Sequence, residues 1–310
     1  MMVDENNPLV SVCVVTYNSE DFVIETLESV KAQSYKNIEL IVSDDCSIDN
    51  TIQRCEEWIK LYGDSFINAV VISTKENSGV SCNCNNAISY VKGNWIKFIA
   101  GDDLLLPNCI QDNVSFVKDN LEADVVFSDY DYFISKNSST GFRKSRTCKP
   151  EESFFSKDKA EQLNILLANN PLPSPTEFVR AKVYKENPYN ELFKYMEDTP
   201  MWVKLSLAGY EFRYLNKKTV LYRQHDSLSH GDTRFFSPLM VESSKAFFWT
   251  IRLPLIKQRK LSDAYLKFRR EFFLYDLTEV VLKNKKNRFT NIIYHMLRWC
   301  VLHLASFGKL

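Results

Sequence analysis

The sequence predicts an α/β fold with a mostly parallel central sheet flanked by helices, followed by a helical C-terminal extension. Three observations carry that prediction. Compact β-branched apolar runs alternate with stretches whose apolar residues recur at helical spacing, the rhythm of right-handed βαβ crossovers. Two of the strand-like runs end on adjacent aspartates, Asp44-Asp45 and Asp102-Asp103. Beyond about residue 236 the strand signals stop and three helical stretches follow.

Taken in order, Leu9 to Val15 is a compact apolar run of the kind buried in parallel sheets, closed by the polar turn Thr16-Tyr17-Asn18-Ser19. From Asp21 to Gln33 the residues Phe22, Val23, Leu27 and Val30 mark a helix. Ile38 to Val42 forms the next strand, ending at Ser43-Asp44-Asp45-Cys46-Ser47. A helix with Ile52, Cys55 and Ile59 on one face follows. Ala69 to Ile72 makes a third strand and Ser81 to Tyr90 a helix. The run from Trp95 makes a fourth strand, stopping at Gly101-Asp102-Asp103, and Asp124 to Phe127 a fifth. Ligands of open α/β sheets bind beyond the carboxyl ends of the strands, so both aspartate pairs fall where a site belongs. Adjacent carboxylates repel, which is easiest to tolerate when a cation or solvent offsets the charge. A solvated turn ahead of a helix explains one such pair equally well; two on one edge favour a site.

Residues 135 to 157 lapse into Ser, Lys, Arg and Thr and read as a long surface loop or flap, and residues 169 to 176 as a structured loop near the site. Glu197-Asp198-Thr199-Pro200 opens a helix carrying Trp202, Leu205 and Leu207 that stops at Gly209. Acidic residues at that point also suit simple capping. Phe212 to Leu215 and Thr219 to Tyr222 read as two short strands leading into Arg223-Gln224-His225-Asp226-Ser227. The last helix, Phe289 to Phe307, follows the basic segment Lys283-Asn284-Lys285-Lys286-Asn287-Arg288. Asn291, His295, Arg298 and His303 argue against a transmembrane span. A membrane-interface helix and a core-docking helix both remain open.

The 310 residues carry 39 basic and 39 acidic side chains, so no global field points to nucleic acid. With 21 Phe and 15 Tyr the chain is built for an ordered fold. Its eight cysteines are scattered without a CxxC pair, and Cys82 and Cys84 lack the second pair of a zinc site. With an acidic, polar N-terminus, this points to a reduced, cytoplasmic protein without a secretory signal. The first strand is followed by neither a Gly-rich basic phosphate loop nor a dinucleotide fingerprint, which disfavours a nucleotidyltransferase and a dehydrogenase.

Assembled in order, Val10-Ser11-Val12 through Thr16-Tyr17-Asn18, Asp44-Asp45 with Ser47 and Asp49, Asn77 with Gly79-Val80-Ser81, Gly101-Asp102-Asp103, and Glu197-Asp198 form a specific pattern. It resembles the family 2 glycosyltransferases, inverting nucleotide-sugar enzymes of GT-A fold, over roughly residues 8 to 230. The resemblance implies a donor site of Thr16, Tyr17, Asn18, Asp44, Asp45, Asn77, Gly79 and Asp102, with Tyr17 placed to stack on the base. It implies Mg²⁺ or Mn²⁺ held by Asp103, with Asp102 and His225 nearby, to neutralise a diphosphate leaving group. It makes Asp198 the general base, with Glu197 orienting it or meeting the acceptor. Two positions depart from the family pattern: Ala100 stands where a further Asp is common, and Asn83-Cys84-Asn85 where Ala-Arg-Asn is common.

The implied domains are a transferase domain over 1–235, with its nucleotide half at about 8–130 and its acceptor half at about 131–235, and a helical region over 236–310 that associates with membrane or oligomerises. The implied partners are a nucleotide-sugar donor (a UDP-sugar foremost) and a glycan acceptor, lipid-linked and met at the inner face of the plasma membrane, in surface-polysaccharide synthesis. The competing class is a GT-A module that binds nucleotide or carbohydrate without catalysis.

Overall fold

The computed structural model describes residues 7–134, 143–224 and 233–304. The chain divides into two compact units, one made of residues up to 163 together with 171–224, the other of 164–170 together with 225 onward.

In the first unit β1 (Val10–Thr16) lies parallel between β2 (Ile38–Asp44) and β4 (Trp95–Ala100), and β3 (Asn68–Ser73) extends the sheet beyond β2. Strands β1 and β2 are buried along nearly their whole length, as continuous β-branched runs in a two-sided parallel sheet must be. Helix α1 (Val23–Lys31) turns Val23, Leu27 and Val30 inward, and α2 (Thr51–Tyr62) buries Cys55 and Trp58. Ile52 and Ile59 are only half-buried. Helix α3 (Val80–Tyr90) leads into β4. Helices α1, α2 and α4 (Cys109–Asp119) close a core that includes Val12, Val14, Leu40, Val42, Ile99 and Val114.

The sheet continues past β4 through β8 (Phe178–Arg180), β6 (Val125–Ile134), β9 (Phe212–Arg223) and β5 (Leu104–Leu105). Its order is β3-β2-β1-β4-β8-β6-β9-β5, so the direction of chain progression reverses between β1 and β4. That switch point is where the doubly wound folds open their ligand crevice.

Three expectations are corrected here. Strand β6 runs to Ile134 rather than Phe127. Its second half alternates Asp129 and Asp131 with Tyr130 and Tyr132, a period-two pattern hidden because neither face is aliphatic. The stretch read as a loop contains β7 (Arg143–Cys148), antiparallel to the far half of β6. It has almost no apolar residue, so its strand state comes from backbone pairing rather than side-chain pattern. The two short strands after residue 212 are one strand, β9, whose register against β6 shifts on both sides of Asp129, where Asn216 and Lys217, and then Thr219, add length.

The second unit is helical: α9 (Pro238–Phe247), a π-helical turn, α10 (Leu253–Gln258), α11 (Ser262–Leu282) and α12 (Arg288–Leu304). Phe247, Phe248, Ile256, Phe268 and Leu282 are buried within it. The buried Arg252 guanidinium lies over the rings of Phe247 and Phe268 and donates to the Leu166 carbonyl. Among the described residues no helix is long and apolar enough to cross a membrane.

Candidate active site

The site is assembled from strand ends at the switch point. Strand β1 ends at Thr16 and β4 at Ala100, and the turn after β4 folds tightly against the end of β1. A Cβ on Gly101 would lie 2.6 Å from Thr16 Cγ2, so only glycine permits this approach. The Gly101 amide donates to the Val15 carbonyl at 2.9 Å and that of Asp103 to Ala100 at 3.1 Å. The carbonyl of Asp103 takes a bond from Thr26 Oγ1 at 2.8 Å.

Arg223, at the end of β9, secures the same turn from behind. Its backbone N–H donates to Asp103 Oδ1 at 2.8 Å and its Nε to the Asp102 carbonyl at 2.6 Å. Nη2 pairs with Glu25 at 2.7 Å. The guanidinium is sandwiched by Phe22 and Phe133, 4.7 and 4.4 Å from the ring centres, and the side chain is fully buried. Arg223 therefore shapes the aspartate turn from inside. His225 lies outside the described residues.

Asp103 is 2% exposed, and burial followed by the Asp102 charge pushes its carboxyl well above the usual range, against the pull of Arg223. Two neighbouring carboxylates in such surroundings suit a hard cation. Among the described residues no three His, Cys, Asp or Glu side chains converge as a metal site. Asp102 and Asp103 are thus the protein carboxylates this turn offers a divalent ion.

The first aspartate pair is spent internally. Asp44, fully buried, accepts from Thr16 Oγ1 at 2.7 Å and from the backbone and hydroxyl of Ser47 at 2.7 and 2.6 Å. It braces the loop from within. Asp45, 3% exposed, accepts from Thr74 Oγ1 (3.0 Å) and the amides of Ser78 (2.9 Å) and Gly79 (2.8 Å), fixing the entry to α3. Gly79 has φ +91°, and a Cβ there would meet the Lys194 carbonyl at 2.7 Å. Asn18, at φ 50°, accepts from the Ile48 amide, while Tyr17 and Asn77 are exposed beside this frame. Asn83, in the segment that departs from the family pattern, is buried and donates to the Thr16 and Ser43 carbonyls. The next departure, Cys84, is a buried thiol.

The acidic pair at the head of α8 (Asp198–Leu207) completes the cluster. Asp198 Oδ1 accepts from the Thr199 amide at 2.6 Å, within the first turn. Glu197 makes no side-chain capping bond. Burial, then Asp198 and Glu177, raises its carboxyl well above the ordinary range. The Tyr222 phenol is likewise raised, by burial and then by the charges of Asp103 and Asp102, with smaller contributions from Tyr132 and Glu197.

Behind this cluster lies a network that sequence reasoning missed. Glu177, 2% exposed, accepts from Tyr184 Oη at 2.7 Å, and its carboxyl is pushed to about 7 by burial. The fully buried Lys97 donates to the carbonyls of Pro175 and Glu177. A lysine in the middle of the Trp95–Ala100 run was the available signal.

The fold and this edge define a glycosyltransferase of the GT-A class. The family model "Glycosyl transferase family 2" matches residues 11–184, more than half of the chain, and the protein belongs to that family. It is 30% identical over 224 residues to an uncharacterised glycosyltransferase of Haemophilus influenzae, covering 71% of this chain and 67% of that one. It is 26% identical to another of Methanocaldococcus jannaschii, covering 72% and 73%. Its fold matches S. aureus TarS 1-349, crystallised with UDP-GlcNAc, with a TM-score of 0.55 at 20% identity over 85% of this chain and 80% of that one.

Proposed function

We propose that the protein is an inverting glycosyltransferase that moves a sugar from a UDP-sugar to a hydroxyl of a lipid-linked glycan, in bacterial-type surface-polysaccharide synthesis at the inner face of the membrane. The observation that carries this reading is the Asp102-Asp103 turn, held by Arg223 at the carboxyl edge next to the switch point.

In this reading Tyr17 stacks on the base and Asp45 holds the loop of Asn77 and Gly79 that closes on the donor. Asp103 and Asp102 hold Mg²⁺ or Mn²⁺, which when bound neutralises the diphosphate leaving group. Arg223 fixes the Asp103 carboxylate and the Asp102 backbone in place. Asp198 takes the proton from the acceptor hydroxyl as it attacks the anomeric carbon opposite the diphosphate. Glu197, raised by its buried surroundings, keeps its own proton near neutral pH, leaves the base role to Asp198 and donates to the acceptor.

The test is a thermal-shift screen of nucleoside diphosphates and nucleotide sugars with and without Mn²⁺, followed by turnover of the donor that binds. A ligand of the native state raises its stability by mass action. A metal-dependent shift with UDP or a UDP-sugar is expected. Absence of any nucleotide shift, or binding without turnover for every acceptor, overturns the reading in favour of a non-catalytic binding module.

A further inference from the structure

Helix α12 exposes an apolar stripe that the second unit leaves to solvent. Phe289, Ile292, Met296 and Trp299 are 71, 62, 63 and 60% exposed. Their spacing of three, four and three residues confines them to an arc of about 80° on the helix. Val301 on another face of α12 is buried. Large rings and aliphatic chains aligned in this way on a surface mark an interaction site rather than ordinary scatter.

The charge beside the stripe says what it meets. From residue 283 to 304 there are five basic residues, Lys283, Lys285, Lys286, Arg288 and Arg298, and no acidic one, although the chain as a whole is balanced. The basic loop is a built structure. Asn284 is 3% exposed at φ 53°, accepts from the Phe236 amide at 3.0 Å and donates to the Phe236 carbonyl at 2.8 Å. The Lys286 amide donates to the Thr233 carbonyl at 2.8 Å, and Lys283, Lys285 and Lys286 are exposed. With Arg234, Thr233 and Glu279 these lysines border a cleft of about 550 Å³. A second copy meeting this face by two-fold symmetry would set the two basic patches against each other. A bilayer with anionic headgroups satisfies charge and stripe at once.

We infer that α12 and the 283–288 loop form an interfacial docking surface for an anionic lipid bilayer, with the stripe in the acyl boundary and the basic loop at headgroup level. This inference does not depend on the transferase reading, and its test has no activity readout. The full chain is sedimented with phosphatidylcholine vesicles, alone or containing phosphatidylglycerol. Binding to the anionic vesicles alone, weakened by salt, is expected. Lys285→Ala/Lys286→Ala should lower partitioning about thirty-fold, from ~1 kcal/mol per basic residue. Phe289→Ser/Met296→Ser should lower it at least ten-fold, on the order expected for removing two interfacial apolar side chains. All four side chains are exposed, so circular dichroism and melting of both variants should match the native chain. The inference is overturned if the native chain ignores anionic vesicles or if the Phe289/Met296 variant binds them like the native chain. It is also overturned if ultracentrifugation shows a dimer that this variant dissolves while its vesicle binding persists.

Discussion

Replacing Glu177 by glutamine tests the buried network behind the acidic cluster. Glu177 is 2% exposed, and burial lifts its carboxyl from 4.5 to about 7, against the pull of Tyr184 and Lys97. Between those two values the folded chain holds a proton that the unfolded chain releases. Stability from this group is therefore complete below pH 4.5 and is lost as pH rises through 7, at about 1.4 kcal/mol per pH unit. Across the interval from 4.5 to 7 the loss is on the order of 3 kcal/mol. Glutamine cannot ionise, matches the shape, and keeps an oxygen to accept from Tyr184. Glu197 is present in both proteins and is raised mainly by burial and Asp198, with Glu177 the last contributor, so most of its own titration is shared in the comparison. Urea unfolding should show Glu177→Gln close to the native chain near pH 5 and more stable than it by about 3 kcal/mol above pH 8. The reasoning is refuted if the two proteins decline in parallel with pH, or if the variant is the weaker one at alkaline pH.

Asp198→Asn should leave donor binding intact in calorimetry and lower turnover by about 10²–10⁴-fold, the usual contribution of a positioned base; unchanged turnover removes Asp198 from the base role. Asp103→Asn, close in shape, should keep the fold by circular dichroism and abolish the Mn²⁺-dependent part of the nucleotide thermal shift. Retention of that shift would move the metal elsewhere. Gly101→Ala sets a methyl 2.6 Å from Thr16 Cγ2 and should cost about 1–3 kcal/mol together with a loss of nucleotide affinity. A variant as stable and as tight-binding as the native chain would show that the turn can relax.

The alternation of β-branched runs with helical spacing fixed the parallel half of the sheet, because a two-sided strand must be apolar throughout and its pattern is local. The aspartate pairs were legible for the same reason: they stand at strand ends, and chain order alone places strand ends on one edge. Several things were decided only by tertiary contacts. Asp44 and Asp45 are alike in sequence, yet one braces the Thr16–Ser47 loop and the other the entry to α3. Arg223 turned inward because the Asp102–Asp103 turn, Glu25 and two phenylalanine rings meet around it. Strand β7 exists because β6 offers it a free edge, which no side-chain pattern records. The network of Lys97, Glu177 and Tyr184 joins residues about 80 positions apart in sequence, whose charges become meaningful only once burial removes water from around them.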